Sequence, residues 1–223
     1  SGVRVTFLGF LENTRIRMQI DIGFGDVVEP ASELTQYPTV LDLTSPRLRG
    51  YPRETVVAEK YEAMVTLGEM NSRMKDFFDL WLLTHQFEFD GTLLATAVSR
   101  TFANRQTVVR REPIALSREF ADNSAKQTQW RAFLRKSKIE TAPTDLAEVI
   151  APIREFLQPL TEALVANLPF NGHWKPPGPW TSNRRATRSR KIAGKRSAEI
   201  SELLGGGVPD AEVIHRDNRV LGR

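Results

Sequence analysis

From Arg15 to Phe24 the chain alternates without a break. Ile16, Met18, Ile20, Ile22 and Phe24 take one side, and Arg15, Arg17, Gln19, Asp21 and Gly23 take the other. A period of two is the pattern of a strand with one buried and one polar face. Val3 to Leu11 reads as a second strand, with Glu12, Asn13 and Thr14 as the turn between them. Residues 3–25 therefore predict a β-hairpin. Two strands alone are marginal in water. This pair wants more strands and none follows convincingly, so the rest of the sheet is expected ahead of Ser1. The chain opens on Ser and runs straight into strand sequence, which reads as a segment of something longer.

Pro30, Pro38, Pro46, Gly50 and Pro52 punctuate residues 26–52, which read as loop. The period then changes to that of helices, predicted over about 54–67, 73–84 and 92–103. Gly68 to Ser72 is a turn between the first two, and Asp90 is a candidate cap for the third. Shorter helices follow near 117–121 and 124–135, and a long one over 144–167 that Pro152 and Pro159 should interrupt or bend. The fold class expected is α+β, a β-hairpin from a mixed sheet followed by a helical bundle. Beyond Pro169 the character shifts. Residues 171–179 are rich in Pro and Gly, and 181–196 carry Arg184, Arg185, Arg188, Arg190, Lys191, Lys195 and Arg196 with no acid among them. Residues 175–223 read as a largely disordered basic tail.

Composition changes this picture little. Of 223 residues, 40% are hydrophobic and 26% charged, an ordinary globular balance. With no cysteine, disulfides and thiolate metal sites are excluded, and a cytoplasmic home fits. No stretch is apolar and long enough to cross a membrane, and no signal peptide is visible. The net charge of +4 suits either a soluble domain with a basic tail or a partner carrying phosphates.

One residue breaks the helical pattern. At about 100° per residue, Val56, Val57, Tyr61, Met64 and Leu67 form one stripe of the first helix. Lys60 sits inside that stripe. A buried ammonium needs an anion or a route to water, so Lys60 is either a snorkelling or ion-paired core lysine, or a phosphate-binding lysine in a cleft. The second helix offers partners. Met74, Phe77, Phe78, Trp81 and Leu82 make its apolar face. Asp76 and Asp79 lie together on its other side, neighbours at i and i+3, with Leu80 and Leu83 beside them.

These residues carry a resemblance. Ala58-Glu59-Lys60-Tyr61-Glu62-Ala63-Met64 followed by Asn71-Ser72-Arg73-Met74-Lys75-Asp76-Phe77-Phe78-Asp79-Leu80 is similar to the A-E-K-x-x-A and R-x-K-D-x-x-D-L motifs of the AbiEii/AbiGii nucleotidyltransferase toxins. Met18 to Asp26 and Tyr51 to Thr55 resemble the stretches that precede them, and the likeness runs to about Trp180. It implies a partial nucleotidyltransferase-like core over 1–90, a helical C-terminal domain over 91–174 and a tail over 175–223. It implies an enzyme of toxin–antitoxin and phage-defence systems that moves a nucleotide from an NTP, with Mg²⁺, onto RNA, tRNA in some members, and that has a cognate antitoxin. Carried over, Lys60 would hold the triphosphate, Asp76 would be the essential acid with Asp79 in support, and Asp21 would be a metal-binding carboxylate.

The family's first motif, a G-S or G-G turn followed by D-x-D or D-x-E on a strand, has no counterpart here. Gly23-Phe24-Gly25 leads to no acid pair, and Asp42 stands alone. The chain by itself is thus expected to bind Mg²⁺ and nucleotide poorly. The rival reading is a non-catalytic remnant or binding module in which Lys60 and Asp76 form a core ion pair. A third is a DNA-binding regulator acting through the tail. Trp130, Phe133 and Leu134 on a helix bearing Arg131, Arg135, Lys136 and Lys138 are either core with a solvated basic side or a nucleic-acid face. Trp174 and Trp180, amid prolines, are expected to clamp onto the helices. His85, His173 and His215 lie too far apart for a zinc site.

Overall fold

The alternation of the first residues becomes two ten-residue antiparallel strands, β1 (Gly2–Leu11) and β2 (Thr14–Gly23). The structure is a computed structural model that describes residues 2–39 and 42–182. Val3 faces Ile22, Val5 faces Ile20, and Phe7 faces Met18, so one side of the ribbon is wholly apolar. That side is uncovered among the described residues, with Ile20 about half exposed at 51%. The stretch expected to be loop holds a second antiparallel pair, β3 (Glu33–Gln36) and β4 (Arg47–Gly50). Four residues per strand are too few to display a period in the sequence, which is why this pair is silent there.

The helices fall where the periodicity puts them: α1 (Arg53–Leu67), α2 (Met74–Gln86), α3 (Gly91–Asn104), α4 (Arg118–Asp122), α5 (Ser124–Ser137) and α6 (Leu146–Val165). Asp90 caps α3 as expected, its carboxylate accepting from the Thr92 and Leu93 amides at 2.8 and 3.1 Å. One expectation fails. Pro152 and Pro159 do not interrupt the last helix, and α6 runs through both. The two prolines are seven residues apart and so share one side of the helix. Each costs about 3 kcal/mol in a helix interior. The carbonyls they release belong to Glu148 and Glu155, both exposed to water. The prolines border the side held by Val149, Ile153, Phe156, Leu157 and Leu160, all buried, and that burial outweighs their cost.

The core lies where α1 packs on α3 and α2 packs on α6. Tyr61 crosses it, its hydroxyl 2.8 Å from that of Thr161 on α6, and burial pushes its pKa up to about 12. Residues 175–182, expected in the tail, are ordered instead. Trp180–Ser182 forms β7, joined to β6 (Gly172–Trp174) and β5 (Phe89–Asp90) in a three-stranded antiparallel sheet. Trp174 donates from its indole to the Thr84 carbonyl and Trp180 to that of Phe156, and Trp180 stacks on the Phe156 ring. This is the expected clamp, and it satisfies both buried indoles. A Cβ on Gly172 would stand 2.8 Å from the Trp180 ring, so only glycine fits. The basic run 184–196 and His215 lie outside the described residues. Among those described, no helix is long and apolar enough to cross a membrane.

The stem of the hairpin is tied to α1 and α3 by polar contacts. Thr55 on α1 exchanges hydrogen bonds with the backbone of Glu29, Asn104 donates to the Gly25 carbonyl, and Arg100 pairs with Glu29. Arg105 reaches Asp26 at 3.4 Å and Glu62 at 2.8 Å. Glu62, buried on α1, also accepts from the hydroxyls of Thr66 and Thr107, both at 2.6 Å. Burial acts to raise its pKa, but the two hydroxyls and Arg105 outweigh that and hold it below the ordinary carboxylate range.

Two predictions follow from this packing. Trp174→Ala should cost about 3–5 kcal/mol, as large core truncations do, while Ile20→Thr on the bare hairpin face should change stability by less than about 0.5 kcal/mol; denaturant unfolding of both reads the contrast. Glu62 supplies stability that is present above its unfolded value near 4.5 and is lost as pH falls through its lower folded value. The Tm deficit of Glu62→Gln against the native chain should therefore be full at pH 7 and shrink steadily below about pH 4.5. A deficit of constant size down to pH 2 would show that Glu62 contributes no such linkage.

Candidate active site

Helix α1 is buried on more than one side. Val57, Ala58, Tyr61 and Met64 are fully enclosed, and Thr55, Glu62, Ala63 and Val65 are nearly so. A lysine on such a helix has nowhere dry to rest, and Lys60 reaches toward α2. Its ammonium lies 2.8 Å from Asp76 Oδ1 and 2.6 Å from Asp79 Oδ2. The side chains of Lys60, Asp76 and Asp79 are 17%, 5% and 20% exposed. Burial acts to lower the lysine's pKa, but the two carboxylates outweigh it and raise Lys60 above the usual lysine range. It is charged at any physiological pH.

The apolar face expected for α2 is rotated in the folded chain. Its buried residues are Met74, Asp76, Phe77, Leu80 and Thr84, whereas Phe78, Trp81 and Leu82 are only half-buried. Asp76 thus stands within the buried stripe. Periodicity alone placed the face on the aromatic side because it ranks residues by hydrophobicity. The fold instead buries the side with a cation waiting for it.

Two further cations attend the acids. Arg73 Nε lies 2.8 Å from Asp76 Oδ2, at i and i+3, and Lys75 Nζ lies 2.6 Å from Asp79 Oδ2, at i and i+4. Both belong to the motif, and their spacing from the acids signals the contacts. The Arg73 approach is off the hydrogen-bond direction. Asp76 Oδ2 is consequently buried without a hydrogen bond, its one close partner being the Arg73 guanidinium.

A second layer fixes the start of α2. Asn71 Oδ1 accepts from the Arg73 amide at 2.9 Å, and the buried ammonium of Lys126 on α5 donates to the Asn71 carbonyl at 2.8 Å. Lys126 also lies over the Phe120 ring, 4.9 Å from its centroid. No motif spacing reveals this latch, because its partner is a backbone carbonyl 55 residues away.

The structure brings together three of the four expected site residues, Lys60, Asp76 and Asp79. Asp21 stands on the hairpin, 57% exposed and bound by Arg4 at 2.7 Å and Gln19 at 2.9 Å. Its hydrogen bond to Arg4 is the main cause that holds its pKa low. No contact joins it to the cluster. Among the described residues no three carboxylate or imidazole side chains converge on one point. Mg²⁺ needs near-octahedral oxygen ligation, and the two acids here are already matched by three cations, so the cluster as it stands does not suit Mg²⁺. It suits a polyanion.

Comparison with curated proteins and with solved structures gave no match. The family model of the nucleotidyl transferase AbiEii toxin, type IV TA system, matches residues 1–158, a span that holds the hairpin, the linking strands and both helices of the cluster. The chain belongs to the AbiEii nucleotidyl transferase toxin family.

Proposed function

We propose that the Lys60–Asp76–Asp79 cluster is the triphosphate-facing part of a site that transfers a nucleotide from an NTP to an RNA acceptor, tRNA by family analogy. Membership of a toxin–antitoxin family implies a nucleotide substrate and an antitoxin counterpart. The observation that carries the reading is the charge imbalance. Lys60, Arg73 and Lys75 meet only two carboxylates, and one oxygen of Asp76 is left without a hydrogen bond. A core ion pair kept for stability needs no third cation.

The chemistry asked of these groups is modest. The acceptor hydroxyl oxygen forms a bond to the α-phosphorus, the bond from that phosphorus to the bridging oxygen breaks, and pyrophosphate leaves. The hydroxyl proton passes to Asp76 Oδ2 once Arg73, which pairs with that oxygen here, has moved onto the phosphates. Lys60, kept charged by its neighbours, offsets the charge that develops on the departing pyrophosphate. Lys75 and Arg73 neutralise the outer phosphates. Since the two acids are already matched, we propose that metal-binding carboxylates have to come from outside these residues and that the chain alone does not complete the reaction.

The test is transfer of label from each NTP, with Mg²⁺, to total tRNA. It compares this chain, a version extended at its N-terminus by the upstream coding sequence, and the extended version carrying Lys60→Ala or Asp76→Ala. Labelling by the extended form, cut at least about 10²-fold by either substitution, is the expected result. If the extended form folds and labels no RNA with any NTP, the cluster is scaffold, and the non-catalytic module becomes the better reading.

A further inference from the structure

The groove between α2 and α5 opens beside Asp76. It encloses about 570 Å³ and is lined by Arg73, Lys75 and Asp76 at the start of α2 and by Gln129, Phe133 and Lys136 along α5. Gln129, Phe133 and Lys136 recur at i, i+4 and i+7, one stripe of the helix facing the site. The basic helix singled out in the sequence thus divides in two. Trp130 and Leu134 are buried in the core, while Phe133 and Lys136 look into the groove. Arg131, Arg135 and Lys138 are exposed and do not line it.

Three features of the groove point to one kind of occupant. Its rim is cationic, with Arg73 and Lys75 on one wall and Lys136 on the other. Its floor holds an aromatic ring, Phe133, braced from behind by Trp130 at 5.6 Å and Phe78 at 6.1 Å between ring centroids. A ring so held is a fixed platform on which a base can stack. At its end lies Asp76, more than nine-tenths buried, with Arg73 Nε 2.8 Å from its Oδ2, so that a hydroxyl arriving there has to take the place of the Arg73 guanidinium. Phosphates on the rim, a base on the platform and a hydroxyl at the carboxylate describe an unpaired polynucleotide end. A duplex has its bases already stacked and its termini too broad to reach a buried carboxylate between two helices. An acidic peptide satisfies the rim but leaves the ring without use.

We propose that the α2–α5 groove seats the single-stranded end of the RNA acceptor, with Lys136 on its phosphates and Phe133 against a base. This deepens the transferase reading above and rests on it for the role of Asp76.

The test is fluorescence anisotropy of this chain with a short labelled single-stranded RNA, in the absence of NTP and metal. Lys136→Glu on the exposed rim, and Phe133→Leu, which keeps apolar volume in place, should each weaken binding about tenfold. Arg131→Glu makes the same change of charge elsewhere on α5 and should leave the Kd within about twofold. A blunt RNA duplex should bind more weakly than the single strand, and polyglutamate should not displace the strand. Equal weakening by Lys136→Glu and Arg131→Glu, absence of RNA binding, equal binding of the blunt duplex, or displacement by polyglutamate would each overturn the assignment. A parallel titration of the N-terminally extended version with labelled NTP and Mg²⁺ separates the two readings. RNA binding insensitive to Lys136 and Phe133, with NTP binding still lost in Lys60→Ala, removes the groove and spares the transfer site. The reverse pattern removes the transfer site.

Discussion

A charge inside a protein has to be matched, and the rest of the described structure is arranged around one such match. Lys60 projects from the most enclosed helix of the molecule, and the carboxylates of Asp76 and Asp79 meet it within 3 Å. Taking three ionised groups out of water costs several kcal/mol per ion before their attraction returns anything. The geometry must therefore be held by something stiffer than the pair itself. The packing of α1 on α3, the Tyr61–Thr161 hydrogen bond and the Glu62–Arg105 hub hold α1. The Asn71 cap and the Lys126 latch hold the first turn of α2. Each of these lies outside the cluster and fixes one helix that contributes to it.

That arrangement explains what the sequence discloses and what it hides. Lys60 is legible because its own position contradicts the periodicity around it, and such a contradiction needs an anion nearby. Asp76 and Asp79 are legible as partners because i and i+3 on a helix are neighbours. The face that α2 buries is not legible from the pattern. Hydrophobicity points to Phe78 and Trp81, and only the presence of the Lys60 ammonium across the interface turns Asp76 inward. The same holds for α6. Proline propensity argues for a break at Pro152 and Pro159, and tertiary burial of Phe156, Leu157 and Leu160 overrides it. Lys126 is hidden for another reason. A contact to a backbone carbonyl leaves no trace in residue type, so nothing in the sequence distinguishes this lysine from the solvated ones beside it.

The hairpin presents the opposite case, a local pattern that is fully legible and yet incomplete. Its register pairs Val3, Val5 and Phe7 with Ile22, Ile20 and Met18, which puts the apolar residues of the alternation on one face and leaves Leu8 and Phe10 on the other. A sheet face of this composition normally lies against another layer. Here its stem alone is secured, through Gly25, Asp26 and Glu29, all by polar groups. Asp21 rides on the other face with Arg4 and Gln19 and makes no contact with the Lys60 cluster.

The separation of these two regions bears on how charge is used. A metal site gathers carboxylates and so concentrates negative charge, as one acid raises the pKa of the next. The Lys60 cluster does the reverse, since each of its acids is outnumbered and the lysine is held in its charged form. Such an arrangement is poorly suited to recruiting a further cation. The groove beside it continues the same bias along α5 through Lys136. Lys136 adds a further cation there, beside the partly buried ring of Phe133.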